Sequence, residues 1–165
     1  MAKYDVHFYS LRVRKATDKI RLLRIQQAGQ LSKVRILLAD DHPHFPELVE
    51  SLLGPTFEVV GKVGDGRALF DAALDLKPDV IVTDISMPVL NGIEAVDELQ
   101  RSGCTSKVIF LTIHTDPDFV RTCLAIGAFA YVSKTRVALD LLPAIRLALG
   151  GHLFISPYET EENYI

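Results

Sequence analysis

The sequence lacks the features that mark several large classes of protein. Its 165 residues include no tryptophan and two cysteines, Cys104 and Cys123, which form no CxxC pair. A disulfide framework or a thiolate metal site is therefore not indicated, and two reduced cysteines in a cytoplasmic protein are the expectation. No apolar run approaches the roughly 18 residues that a membrane span requires. The polar first residues are also unlike a secretory signal.

Charge is unevenly distributed along the chain. Residues 1–33 carry eight Lys or Arg and two Asp, a net charge of +6, whereas residues 34–165 carry ten basic and 19 acidic residues, a net charge of −9. An acidic domain is a poor non-specific binder of nucleic acid, so direct DNA binding by this chain is not expected.

Residues 1–32 are predicted to be a basic N-terminal extension. Apolar residues recur at roughly helical spacing over 11–28, which favours a helix that docks on the acidic domain, on a partner or on an anionic surface. The alternative is a poorly ordered extension, and the sequence leaves both open.

From residue 33 onward, short apolar strands alternate with stretches of helical spacing. The predicted strands are 34–39, 57–63, 79–83, 107–111 and 128–132. Alternation of this kind favours an α/β fold with a parallel sheet covered by helices on both faces. With right-handed crossovers, five strands favour the doubly wound, flavodoxin-like order 2-1-3-4-5.

Polar residues lie at the carboxyl ends of four of these strands. Asp40 and Asp41 follow strand one, Asp84 follows strand three, and Thr112 and Lys134 follow strands four and five. Each alone is more often a cap or a solvated loop residue. However, ligands of open parallel sheets bind outside the carboxyl ends of the strands, at a switch point that lies here between strands one and three. The conjunction therefore predicts a single site.

The chemistry of these side chains suits a divalent cation and a phosphoryl group. Mg²⁺ prefers carboxylate oxygens, which Asp41 and Asp84 could supply, with Asp40 nearby or acting through water. A carboxylate such as Asp84 can also accept a phosphoryl group as an aspartyl-phosphate. Lys134 would supply a positive charge to the phosphoryl oxygens, and Thr112 would supply a hydroxyl donor.

Five stretches of the chain resemble the receiver domain of bacterial two-component response regulators, and together they cover about residues 33–157. They are ILLADDHP (36–43), DVIVTDISMP (79–88), NGIEA (91–95), LT (111–112) and YVSK (131–134). The resemblance implies that Asp84 accepts phosphate from the phosphohistidine of a histidine kinase or phosphotransfer protein. It also implies that the domain catalyses only its own phosphoryl transfer and dephosphorylation, and is otherwise not an enzyme.

The same resemblance implies a role for several side chains. Asp40, Asp41, Asp84 and the backbone carbonyl of Ser86 would hold Mg²⁺. Lys134 and Thr112 would bind the phosphoryl group. Thr112 and Tyr131 would form a switch pair, in which the hydroxyl moves toward the phosphate and the ring rotates inward.

Two further expectations concern lifetime and assembly. Ser86 and His114 each lie two positions beyond a site residue, Asp84 and Thr112, at the rim where hydrolytic water would approach. They are predicted to tune the lifetime of the phosphoryl group. By resemblance, the domain could also form a homodimer through the face bearing helix four, strand five and helix five.

The stretch DDHP (40–43), the turn 64–66 and the tail 150–157 resemble the class of receivers that carries a LuxR-type helix-turn-helix. The chain ends eight residues after Pro157, so the sequence predicts a receiver over 33–157, a tail over 158–165 and no output domain. The alternative function is the receiver part of a DNA-binding transcriptional regulator whose helix-turn-helix is absent from this chain.

Two other readings fit the residues less well. A haloacid-dehalogenase-type phosphatase would need Asp-x-Asp-x-Thr after strand one, which the run DDHPH (40–44) does not provide. Nucleotide binding would need GxGxxG or GxxxxGK spacing, and the Gly-rich stretch 61–66 has neither.

Overall fold

The computed structural model describes residues 32–157, and its strands and helices alternate as the sequence predicts. Within that range the strands are β1 (Val34–Ala39), β2 (Phe57–Val63), β3 (Val80–Thr83), β4 (Lys107–Thr112), β5 (Ala130–Ser133) and β6 (Phe154–Ile155). The helices are α1 (Phe45–Leu53), α2 (Gly66–Leu76), α3 (Gly92–Arg101), α4 (Pro117–Ala125) and α5 (Val137–Leu149). Short 3₁₀ turns occupy Gly54–Thr56 and Lys134–Arg136. The predicted basic extension and the tail 158–165 lie outside the described residues.

The strands form one parallel sheet in the order β2-β1-β3-β4-β5-β6. The predicted α/β, flavodoxin-like order 2-1-3-4-5 is confirmed, but the sheet has a sixth strand that the prediction of five omits. β6 forms because the chain returns to the free edge of β5 after α5. There the Phe154 amide donates to the carbonyl of Phe129 over 3.0 Å, and the Ser156 amide donates to that of Tyr131 over 2.8 Å.

The inner strands of the sheet are mainly apolar because helices cover both of its faces, whereas the edge strand β2 carries Glu58 and Lys62. Pleating sends alternate side chains to opposite sides, so Leu37 and Phe110 lie in the core under α2, α3 and α4, while Ile36 and Leu111 lie in the core under α1 and α5. Each helix therefore turns one side toward the sheet. None of the helices within 32–157 is both long and apolar enough to cross a membrane.

Side-chain caps fix where the helices on one face begin. Asp65 accepts the amide of Ala68 over 2.7 Å at the start of α2. At α3, Asn91 and Glu94 form a reciprocal capping box with distances of 2.9 and 3.3 Å. At α4, the carboxylate of Asp116 accepts the amide of Asp118 in the first turn. These caps hold the loops that precede the helices at the carboxyl edge of the sheet.

Candidate functional site

The register of the sheet brings the predicted site residues to one edge. Ala39 of β1 pairs with Thr83 of β3, so the residues that follow them, Asp40 and Asp84, are neighbours. The Asp84 amide donates to the carbonyl of Ala39 over 2.8 Å. Lys134, which follows β5, reaches both carboxylates.

Lys134 is a buried cation between two buried carboxylates. Its Nζ lies 2.6 Å from Oδ2 of Asp40 and 2.6 Å from Oδ2 of Asp84, and the three side chains are 8%, 7% and 2% exposed. Burial pulls the pKa of Lys134 down, but the hydrogen bonds and charges of Asp40 and Asp84 outweigh it and hold the pKa above its ordinary value. Lys134 is therefore a charged ammonium at neutral pH.

The Asp84 carboxylate is held by both of its oxygens. Oδ1 accepts the amide of Ile85 over 2.6 Å, while Oδ2 accepts from Lys134. The main chain of Asp84 is also fixed, because its carbonyl accepts the Thr83 hydroxyl over 2.9 Å. A Cβ at Gly92, the first residue of α3, would lie 1.9 Å from that same carbonyl oxygen. Glycine at position 92 therefore permits the close approach of α3 to the end of β3.

The edge also offers a set of ligands for a metal ion. Asp40, Asp41, His42 and Asp84 each place one ligand atom within 4.8 Å of the others. The three carboxylates match the oxygen chemistry that Mg²⁺ prefers. Asp41 is the most open of them, with a side chain that is 41% exposed. The donor set therefore fits the predicted cofactor.

A second group of site residues is organised around His114. Its amide donates to Oγ1 of Thr112 over 3.3 Å, and its carbonyl accepts the hydroxyl of Tyr131 over 2.8 Å. Its Nε2 lies 2.7 Å from Oγ of Ser86. Thr112 and Tyr131 are both buried. One residue thus contacts both members of the predicted switch pair and the other predicted lifetime residue.

The two groups are connected through the chain. Ser86 lies two residues after Asp84, and so it joins the loop that follows β3 to the loop that follows β4. Within the described range, no hydrogen bond runs from Thr112 to Asp84 or to Lys134. The structure therefore brings Asp40, Asp84 and Lys134 into direct contact. Thr112, at the end of the neighbouring strand β4, is instead hydrogen-bonded to the amide of His114.

Comparison with known proteins gives the family. Residues 36–146 match the model of the response regulator receiver domain. The chain belongs to the response regulator receiver family. It is therefore a receiver domain of a two-component response regulator, a signalling domain rather than an enzyme that turns over a separate substrate.

The relatives of this receiver include transcriptional regulators. It is 37% identical to the transcriptional regulatory protein DegU of Brevibacillus brevis, over 78% of this chain and 56% of DegU. It is 33% identical to the nitrate/nitrite response regulator NarL of Escherichia coli K12, over 73% of this chain and 57% of NarL. The chain thus spans a little over half the length of these relatives.

Solved structures show the same domain. A LuxR-family two-component response regulator from Aurantimonas sp. SI85-9A1 superposes with a TM-score of 0.72 at 30% identity, covering 76% of this chain and 91% of that one. The non-phosphorylated receiver domain of RcsB from Escherichia coli superposes with a TM-score of 0.70 at 26% identity, covering 76% of this chain and all of that one. The predicted family and fold are both confirmed.

Two residues of this receiver contact the site but were not predicted to belong to it. Nδ1 of His42 lies 2.9 Å from Oδ1 of Asp40 and 3.3 Å from Oδ1 of Asp41. The ring of Phe45 lies 4.6 Å from the Lys134 ammonium, a cation–π distance. The position of His42 directly after the acidic pair could have indicated its role. Phe45 could not be found in this way, because its contact depends on how α1 folds back over the strand ends.

Proposed function

We propose that this receiver is switched by Mg²⁺-dependent phosphorylation of Asp84. The observation that carries the proposal is the buried ammonium of Lys134, 2.6 Å from Asp84 and 2.6 Å from Asp40. A lysine in this position compensates the negative charge that a phosphoryl group adds at Asp84. Electrostatic stabilisation of this kind is a main contribution of the protein to phosphoryl transfer.

Each site residue has a separate role in phosphoryl transfer. Asp84 takes the phosphoryl group from a phosphohistidine of a kinase or phosphotransfer protein, and Lys134 holds the added charge. Asp40, Asp41, Asp84 and the backbone carbonyl of Ser86 would hold Mg²⁺, which supplies further neutralisation of phosphoryl oxygens when bound. The hydrogen bonds to both oxygens of Asp84 keep its carboxylate in a fixed orientation.

The second group supports a switch. Thr112 accepts the amide of His114, and Tyr131 donates to the carbonyl of the same residue. Movement of the Thr112 hydroxyl toward a phosphoryl group on Asp84 would give up its bond to the His114 amide. The loop that carries the Tyr131 bond would then be free to move, which makes this pair a two-state element biased by a local charge.

Phosphorylation of purified protein tests the proposal. Incubation with acetyl phosphate and Mg²⁺ is expected to add one phosphoryl group by intact mass, and Asp84→Asn is expected to abolish it. Asp79→Asn, at the opposite end of β3, is the matched control and should be labelled normally. Equal labelling of Asp84→Asn and wild type would contradict the proposal.

A second candidate function is the receiver part of a DNA-binding transcriptional regulator. The similarity to DegU and NarL, both transcriptional or response regulators longer than this chain, favours it. An in-frame helix-turn-helix in the adjoining coding sequence would support this candidate, and a stop codon with no such domain would contradict it.

The remaining features of the proposed function concern context. We propose that the receiver spans residues 33–157 and follows a basic extension over residues 1–32. We also propose that the protein is cytoplasmic and that it forms a homodimer through the face bearing α4, β5 and α5. The chain by itself is proposed not to bind DNA, since residues 34–165 carry a net charge of −9. Mass in solution with and without beryllofluoride tests the dimer, and a monomer in both states would contradict it.

A further inference from the structure

A buried carboxylate in α5 has no part in the site described so far. Asp140 is 6% exposed and accepts two hydrogen bonds from the guanidinium of Arg136, from Nε over 2.8 Å and from Nη2 over 3.3 Å. It also accepts the hydroxyl of Ser156 over 2.6 Å. Burial alone would raise the pKa of Asp140, but Arg136 and Ser156 hold it below its ordinary value. A buried charge with this many partners fixes the positions of the groups that it binds.

Ser156 extends this network to the end of β5. Its hydroxyl oxygen accepts the amide of Ser133 over 3.2 Å, and its own amide donates to the carbonyl of Tyr131 over 2.8 Å. Ser133, Ser156, Asp140 and Arg136 therefore form a closed ring of hydrogen bonds, completed by the chain from 133 to 136. We call these four residues the Asp140 ring.

Lys134 lies between two members of the Asp140 ring, Ser133 and Arg136. The residue before it is held by Ser156, and the 3₁₀ turn that begins with it ends at Arg136, which is held by Asp140. Ser156 and Asp140 are themselves joined. The backbone from which the Lys134 side chain projects is thus clamped on both sides by one network, which includes a residue that follows β6.

We infer that Asp140 and Ser156 are positioning residues for Lys134, and that the end of β6 is coupled to what binds at Lys134. The inference rests on the proposed function of Lys134 as the phosphoryl-binding residue. A shift of the backbone at 134 moves an ammonium whose contacts are both 2.6 Å long. Coupling of this kind is reciprocal, so binding at Lys134 must change the stability of the ring by the same factor.

A purely structural ring would behave differently. It would attach β6 to the sheet and contribute to folding, yet leave the affinity of the phosphoryl site unchanged. Ser106 provides the matched comparison, because it is another buried serine whose hydroxyl donates one hydrogen bond, to the carbonyl of Pro78 over 2.6 Å. It precedes β4, at the amino ends of the parallel strands, whereas Lys134 lies at their carboxyl ends.

The first test measures binding of beryllofluoride, a phosphoryl analogue, in the presence of Mg²⁺. Ser156→Ala is expected to weaken binding about tenfold, the low end of what outer partners contribute at such sites. Ser106→Ala is expected to bind as wild type does, even though both substitutions lower the melting temperature. Ser156→Thr, which keeps the hydroxyl, is expected to restore affinity. Equal affinities for Ser156→Ala and Ser106→Ala in folded protein would overturn the inference.

Asp140→Asn is a second test of the inference, because it keeps the volume of the side chain and removes its charge. Weakened beryllofluoride binding in this variant supports the inference, and unchanged binding contradicts it. Failure of the wild type to bind beryllofluoride at all would instead contradict the proposed function, so the two failures are distinguishable.

Hydrogen exchange tests the reverse direction of the coupling. Saturating beryllofluoride is expected to slow exchange of the Ser156 amide in the wild type, because occupancy of Lys134 stabilises the Asp140 ring. The effect should disappear in Asp140→Asn. Exchange at Ser156 that does not respond to beryllofluoride in the wild type would overturn the coupling.

Discussion

At the scale of single residues, Val89 is held in a backbone conformation that its side chain disfavours. Its φ of 69° lies in the left-handed region, which β-branched residues rarely occupy. The side chain is 83% exposed, so burial of the side chain does not offset the strain. Val89 lies in the loop between Asp84 and α3, and strain of this kind is often found beside functional sites.

Replacement of Val89 by glycine tests this strain. Glycine adopts positive φ without a steric penalty, so Val89→Gly is expected to raise the free energy of unfolding by about 1 kcal/mol, as measured by urea denaturation. Ile113→Gly is the control, because Ile113 is also an exposed, β-branched loop residue but has no positive φ. Stabilisation of both variants, or of neither, would contradict the assignment of strain to Val89.

Ser86 and His114 offer a second prediction at this scale. Their side chains lie 2.7 Å apart, between the loops that follow β3 and β4. Loss of this hydrogen bond is expected to admit water to the phosphoryl group of Asp84 and to shorten its half-life roughly fivefold, the equivalent of about 1 kcal/mol.

The measurement is the rate of phosphoryl loss in Ser86→Ala, in His114→Ala and in the double variant. Because the two residues share one bond, the double variant should lose little more than either single variant. His152→Ala, beyond α5, is the control and should keep the wild-type half-life. Wild-type half-lives in both single variants would refute this role.

At the scale of elements, the sequence predicts structure well wherever an apolar run ends at a residue that cannot continue it. The bounds of β1 and β2 match the prediction to the residue, because Asp40 and Gly64 end these strands. β5 begins two residues later than predicted, since the amide of Ala128 instead bonds to Cys123 in the last turn of α4. β6 could not be predicted, because two residues are too few to show alternation.

The junction of β3 and α3 gives the prediction for this scale. A Cβ at position 92 would lie 1.9 Å from the Asp84 carbonyl oxygen, so Gly92→Ala must push α3 away from the end of β3. We expect a loss of about 2 kcal/mol in unfolding free energy and slower phosphorylation of Asp84.

Gly64→Ala is the control for this prediction. It lies after β2 at the same edge of the sheet, and its added Cβ would have no neighbour nearer than 3.9 Å. Urea denaturation and labelling by acetyl phosphate measure the two effects. Equal stability of the two variants would show that the close approach of α3 to Asp84 is not needed.

At the scale of the whole molecule, the parallel sheet explains why the site could be predicted and the Asp140 ring could not. The parallel strands bring Asp40, Asp84 and Lys134 to one edge of the sheet regardless of how the helices pack. The position of each residue at the end of a strand is therefore enough to predict the site. The ring instead depends on β6 returning to the edge of β5, which places Ser156 beside Asp140. A helical pair such as Arg136 and Asp140, four residues apart, was visible in the sequence but gave no indication of that third partner.

The charge of this edge leads to a prediction for the molecule as a whole. Among residues 32–157, the three carboxylates of Asp40, Asp41 and Asp84 lie near one ammonium, that of Lys134. The excess negative charge is brought together only by folding, so a divalent cation should bind the folded state in preference to the unfolded one. Mg²⁺ at 100 times its dissociation constant would then stabilise the domain by about 2.7 kcal/mol.

Thermal unfolding at increasing Mg²⁺ concentration measures this stabilisation. The melting temperature of the wild type is expected to rise by several degrees and to continue rising with the logarithm of concentration beyond saturation, as mass action requires. Asp41→Ala removes the most open carboxylate and should abolish most of the rise. Asp71→Ala, which removes an exposed carboxylate on α2, should leave it intact. An equal rise in Asp41→Ala, or in KCl of the same ionic strength, would mean that Mg²⁺ acts through general screening and not at this site.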